Sequence, residues 1–174
     1  MSEIVIRRAS AADAAALASL AARTFEETFA ADNRPEDMAA HRATAYGIPQ
    51  QSAEIADPRM ATIVAVTDAR LVAYAQVRRV PPPSCVTHPS AVELQRFYVE
   101  RAMHGTGLAR DLMGAALDAV RSFGGRHVWL GVWERNARAI AFYAKCGFVD
   151  VGSKIYMVGP DAQVDRVMVA PVAL

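Results

Sequence analysis

Trp129-Leu130-Gly131-Val132-Trp133-Glu134-Arg135-Asn136, continuing as Ala137-Arg138-Ala139-Ile140-Ala141-Phe142-Tyr143-Ala144-Lys145-Cys146-Gly147-Phe148, is the most informative run in this sequence of 174 residues. His127–Trp133 is apolar and aromatic in the manner of a buried strand, with Trp129 and Trp133 on one face of it. Asn136 is a helix N-cap residue, and the helix it opens is short, ending near Cys146. Lys145 complements the helix dipole in the last turn, and Gly147 stands where a left-handed residue is needed to end the helix. Asn136 and Tyr143 are seven positions apart, a rotation of roughly 700° that returns to within about 20° of the same face. An amide that can hydrogen-bond a ligand and a phenol that can donate a proton thus line one groove.

Upstream, Val99 ends a strand, and His104-Gly105-Thr106-Gly107-Leu108-Ala109 opens a helix that runs from Gly107 to Phe123. Such a junction presents unpaired backbone N–H groups at the positive end of the helix dipole, where phosphate is the natural ligand. Gly105, Gly107 and Ala109 lack bulk, so a pyrophosphate can approach the backbone closely. The same pattern also caps helices for steric reasons alone. It is not a dinucleotide fingerprint, because Arg110 occupies the third small position, and no Gly-Lys-Ser/Thr of a P-loop occurs.

Working outward, residues 3–8 read as a strand. Ser10 with Asp13 is an acidic capping box, and Ala14, Leu17, Ala21 and Phe25 form a buried helical stripe. Asp13 also interrupts the Ala-rich stretch that would otherwise resemble an export signal after Arg7-Arg8. A second helix is predicted from Pro35 to about Tyr46, stopped by Gly47-Ile48-Pro49. Residues 61–67 and 71–80 form a hairpin around Asp68-Ala69-Arg70, Pro81-Pro82-Pro83 opens a surface loop, and residues 91–99 form another strand. Residues 148–158 and 163–169 close the chain as a hairpin around Gly159-Pro160-Asp161. The expectation is a single α+β domain over residues 1–174, with a mostly antiparallel sheet and a central strand–helix–strand crossover.

The strand, Asn cap, Tyr-bearing helix and Gly-Phe of 129–148 resemble the second acyl-CoA-binding motif of the GNAT superfamily of N-acetyltransferases. Residues 104–109 resemble that superfamily's first motif, Arg/Gln-x-x-Gly-x-Gly/Ala, with Gly107 and Ala109 matching and His104 departing at the Arg/Gln position. Glu93-Leu94-Gln95-Arg96-Phe97-Tyr98-Val99, the Trp129–Glu134 run and Thr24-Phe25-Glu26-Glu27-Thr28-Phe29 resemble its polyamine (spermidine) acetyltransferase branch. The resemblance implies an α/β sandwich-type fold: a mixed, mostly antiparallel sheet of about seven strands with about four helices, its central strands splayed into an acyl-CoA groove. It implies acetyl-CoA as co-substrate, held along Phe97, Tyr98 and Val99 and by His104, Gly105, Thr106, Gly107, Leu108, Ala109, Arg110, Asn136, Ala139 and Tyr143.

Acetyl transfer to an amine requires a deprotonated amine, donors for the developing oxyanion and a proton for the departing thiolate. Tyr143 suits the last role, with a half-buried packing aromatic as the plainer alternative. Glu93 is the first candidate general base and Glu27 the second, against the plainer reading of solvated carboxylates. Phe25, Glu27, Thr28 and Asp32 are the candidate substrate-binding residues. Five carboxylates between Glu26 and Asp37 face only Arg34, an acidic run that could attract a small polycation or merely solvate a helix face.

Composition narrows the alternatives. The chain is 53% hydrophobic and 21% charged, with 19 Lys plus Arg against 18 Asp plus Glu and a net charge of +1. That balance supports neither a nucleic-acid nor a membrane partner. Cys85 and Cys146 form no disulfide framework, so a reducing cytoplasm is expected, and the four histidines show no metal-ligand spacing. The partner expected is a small-molecule amine, and a homodimer is compatible with the reading. An acyl-CoA-binding module without turnover is the alternative from another class.

Overall fold

A parting of two parallel strands at the centre of one sheet organises the protein. The computed structural model describes residues 3–173. Seven strands, β1 (Val5–Arg8), β2 (Met60–Thr67), β3 (Arg70–Arg78), β4 (Val92–Val99), β5 (His127–Trp133), β6 (Val149–Val158) and β7 (Asp161–Pro171), form a sheet in the order β1-β2-β3-β4-β5-β7-β6. Every neighbouring pair is antiparallel except β4 and β5, which are parallel. A parallel pair needs a crossover, and α4 (Leu108–Ser122) supplies it. The β2–β3 turn places Asp68 and Ala69 at positive φ, which matches the twist of the strands it joins.

Five α-helices are formed: α1 (Ala14–Phe29), α2 (Pro35–Ala45), α3 (Ile48–Ala56), α4 and α5 (Ala137–Lys145). That is one more than expected. Gly47-Ile48-Pro49 reads as a stop, but Pro49 lies in the first turn of α3, where its missing N–H has no helical partner to lose. Ahead of α1, the Ser10 N–H donates to Asp13 Oδ2 at 2.7 Å, and Arg7 Nη1 holds the same carboxylate at 2.8 Å.

The alternation of β5 divides the core between two faces. Val128, Leu130 and Val132 face one side, where Leu112 and Val120 of α4 and Tyr143 of α5 cover them. Trp129 and Trp133 face the other. There Trp133 joins Leu17, Leu20 and Phe25 of α1, while Trp129 packs on Val167 and Val169. A tryptophan pair sharing one face is what the sequence predicts.

β4 and β5 pair only at Val92–Val128 and Glu93–Trp129. Beyond these, the β3–β4 register shifts between Gln76 and Val77, where Arg96 and Leu94 are the successive partners and Gln95 has none. From Arg96 to Val99, β4 has a bonded neighbour only in β3, so alternate backbone N–H and C=O groups face a gap beside β5.

Candidate active site

The gap between β4 and β5 opens into a cavity of about 1060 Å³ that collects side chains from both faces of the sheet. That volume lies at the upper end of the range for small-molecule sites. On the α4–α5 side the walls include Phe97, Val99, His104, Ala109, Asn136, Ala139 and Tyr143. On the other side they include Glu27, Thr28, Phe29, His41, Tyr46, Tyr156 and Asp165.

The turn ahead of α4 is shaped by two glycines in the left-handed region, Gly105 at φ 80° and Gly107 at φ 93°. A Cβ at either would meet nothing within 4 Å, so backbone conformation, not packing, calls for glycine. Thr106 Oγ1 donates to the Met103 carbonyl at 2.7 Å, and the Arg110 N–H bonds back to the Gly107 carbonyl at 3.0 Å. Among the described residues, the N–H groups of Gly105, Gly107 and Ala109 find no such partner. Three free donors at the start of a 15-residue helix, with open space before them, fit an anionic phosphate. Arg110 is exposed on the first turn of α4. His104, at the departing position of the motif, has its Nε2 2.9 Å from the Val99 carbonyl and so ties the turn to the end of β4.

Asn136 caps α5, its Oδ1 accepting the Ala139 N–H at 3.1 Å, which leaves the amide NH₂ for another partner at the cavity wall. Tyr143 is 8% exposed and packs among Phe97, Phe142 and Phe148. Burial, with a smaller contribution from Cys146, raises the pKa of its phenol well above the ordinary value, so it remains a proton donor throughout the neutral range. Both residues line the one cavity, as their spacing predicts.

The carboxylates are placed less uniformly. Glu93 is buried on the cavity wall with Arg78 Nε bound to its Oε2. Glu27 and Thr28 also line the cavity, Glu27 exposed. Phe25 does not line it: at 1% exposure it is core, stacked on His41 with ring centroids 4.6 Å apart. Asp32 is exposed and away from the cavity wall. The remaining acids of 26–37 have cationic neighbours, Glu26 with Arg42 at 3.5 Å, Glu36 with Arg34 at 3.7 Å and the buried Asp37 with Arg34 at 2.8 Å. The acidic run is therefore not a continuous anionic wall. Glu26 and Glu27 are its members at the cavity.

Several wall residues escape the sequence reading. Arg96 is bound by Glu54 Oε2 at 2.6 Å and Gln76 Oε1 at 2.7 Å, with its guanidinium 5.1 Å from the centre of the Tyr46 ring. Tyr156 Oη lies 3.0 Å from His41 Nε2, and burial lowers the His41 pKa, favouring neutral imidazole. Asp165 faces Lys154 across the β6–β7 pair and Trp133 across the β5–β7 pair. Burial raises its pKa to about 6, against a smaller lowering by Lys154. A readable signal existed for Asp165: it shares the strand parity of Val167 and Val169, so a carboxylate stands on the buried face.

Residues 16–148 match the Acetyltransferase (GNAT) family. An uncharacterized N-acetyltransferase of Mycobacterium tuberculosis is 36% identical over 157 residues, covering 90% of this chain and 96% of that protein. An uncharacterized N-acetyltransferase of Lactobacillus delbrueckii is 28% identical over 165 residues, covering 95% of each chain. In fold, the chain is similar to the PaiA N-acetyltransferase of Thermoplasma acidophilum, solved in complex with coenzyme A, with a TM-score of 0.78 and 19% identity over 97% of this chain and 99% of that one. The family match spans the crossover, the glycine turn and the helix that bears Tyr143, and on it this chain belongs to the GNAT family of acetyltransferases, enzymes whose acyl donor is acetyl-CoA.

Proposed function

We propose that this protein transfers the acetyl group of acetyl-CoA to the primary amine of a small molecule by direct attack of the amine on the thioester. The observation that carries this reading is one cavity joining three features: the unpaired edge of β4, the free N–H groups of the 105–109 turn and the Tyr143 phenol. Acetyl-CoA supplies an activated acetyl group. Gly105, Gly107 and Ala109 hold its phosphates through backbone N–H groups, with Thr106, Leu108, Arg110 and His104 shaping the turn. Phe97 and Val99, the alternate residues whose backbone faces the gap, offer the Phe97 N–H and C=O and the Val99 N–H to the pantetheine arm as an added strand would, with Tyr98 between them bonded to β3. Asn136 and Ala139 line the α5 side of the path, and Tyr143 donates the proton that the leaving sulfur takes up. Glu93, bound by Arg78, lines the base of the gap.

The acceptor enters from the opposite face, past Phe29, Trp133 and Tyr156. A polyamine acceptor draws its support from Glu26 and Glu27 at this mouth, Glu27 having no ion pair within 4 Å among the described residues. Arg78, Arg96 and Lys154 on the same wall favour an amine with a single cationic centre. Salt separates the two: for a polycation steered by Glu27, KM for spermidine rises with ionic strength, and Glu27→Gln flattens that rise. A salt-independent KM removes the polyamine.

The alternating exposed residues Ile155 and Met157 on edge strand β6 support a homodimer, which sedimentation velocity reads directly and Ile155→Lys would dissociate. Acetyl transfer itself is tested by following thiol release with spermidine, glycinamide and an alanine-initiated peptide. Amine-dependent release is expected, and none with any amine would overturn the assignment.

A further inference from the structure

A transferase of this kind needs an acid on the thiol side and a proton acceptor on the amine side of the gap, and only the first is met by Tyr143. Glu93 has its Oε2 occupied by Arg78, and Glu27 is exposed at the mouth. Asp165 differs from both. It is 7% exposed, yet it lines the cavity on the face opposite Tyr143. Among the described residues, no side chain donates a hydrogen bond to it and no cation lies within 4 Å of it. Gly131 on β5 gives it room: a Cβ there would stand 2.9 Å from Asp165 Oδ2 and 2.5 Å from Lys154 Cε. The side-chain-free position of β5 is therefore where the Asp165 carboxylate and the Lys154 chain lie over the strand, beside the gap and on the face opposite Tyr143.

We propose that Asp165 is the general base that takes the proton from the acceptor amine. The assignment rests on the acetyl-transfer reading. The ammonium gives one proton to the free carboxylate, and the nitrogen lone pair forms a bond to the acetyl carbonyl carbon. The carbon–sulfur bond breaks with its electron pair on sulfur, which takes the Tyr143 proton. The second proton of the nitrogen restores the phenol, and Asp165 releases its own to solvent through the mouth. One proton is released per amide formed, and no oxidant or further reactant is needed.

The electrostatic surroundings suit the role. Lys154 and Tyr156 share the wall from β6, Glu93 and Arg96 from β4, Arg78 from β3 and His41 from α2. Burial brings the carboxyl to about 6, with Lys154 as the opposing influence. Against an ordinary Asp near 3.9, that makes Asp165 a stronger base by roughly two orders of magnitude while leaving it ionised at pH 7.

The test combines a pH profile with a direct titration. In the full-length protein, kcat/KM for whichever of spermidine, glycinamide and an alanine-initiated peptide reacts fastest should fall about tenfold per pH unit below about 6. Asp165→Asn should lower it by about 10²–10⁴ at pH 7 and remove that break, while the calorimetric affinity for CoA stays unchanged. Lys154→Met should move the break to higher pH, since Lys154 pulls it down. Independently of turnover, the ¹³C carboxyl resonance of Asp165 should titrate near 6 in the CoA-bound protein. An active wild type whose profile survives Asp165→Asn, or a carboxyl titrating near 4, overturns the assignment and leaves acetyl transfer standing. A wild type inert toward all three amines overturns both.

Discussion

Gly107 concentrates two demands at one residue. It holds φ 93°, and it carries the free N–H proposed to meet the phosphate. A β-branched side chain is strained at that φ whatever space surrounds it. Gly107→Val should therefore reorder the turn, and each charge-assisted hydrogen bond lost is worth about 1.5–3 kcal/mol. CoA affinity should fall at least tenfold in a calorimetric titration of the folded variant, and unchanged affinity would remove the turn from the site. Tyr143 makes the complementary demand. Its phenol is kept protonated by burial among aromatic rings, so the packing alternative and the acid are one arrangement. The ring positions the helix, and the hydroxyl at the cavity wall is the proposed proton donor.

At the scale of elements, α5 is the shortest helix at the site and depends most on its cap. Asn136→Ala removes the acceptor for the Ala139 N–H, which should cost about 1 kcal/mol of stability. For a chain of this length that corresponds to a fall in Tm of about 2–4 °C, measured by calorimetry, while Asn136→Asp should keep most of it. An unchanged Tm would mean that tertiary packing alone holds the helix. This element was legible because every cue is local: strand alternation up to Trp133, the cap at Asn136 and Gly147 at φ 93°. α3 was not, because a proline such as Pro49 is equally at home ending one helix and occupying the first turn of the next. The α4–α5 side of the cavity comes from two contiguous stretches and is readable as motifs. The opposite side of the cavity is assembled from α1, α2, β3, β4, β5, β6 and β7, so Lys154 and Asp165 meet Gly131 only through strand order. Charge runs mislead for the same reason: Asp37 reads as part of an acidic surface and is buried against Arg34.

Across the whole molecule, the site is held at some expense of stability. The Asp165 carboxyl has its pKa raised on folding, so the folded state prefers it protonated. Its contribution is fully present below about pH 4 and is lost as pH rises through about 6. Above pH 7 the buried charge opposes folding by up to about 3 kcal/mol, and Asp165→Asn should raise Tm at pH 8 and change it little at pH 4. An equal or lower Tm at pH 8 would mean that the carboxylate is solvated in the fold. Greater stability with lower turnover is the signature of a residue kept for chemistry. One cavity spanning both faces of a parted sheet is proposed to bring donor thioester, acceptor amine and the Tyr143 acid together. The most direct test is amine-dependent thiol release by wild type and by Tyr143→Phe, with CoA binding measured on both. Turnover by the wild type is expected, with a kcat lower by about 10²–10⁴ in the variant and closely similar CoA affinity for the two. CoA binding without turnover by the wild type would make the protein an acyl-CoA-binding module, and equal rates for the two proteins would take the acid role from Tyr143.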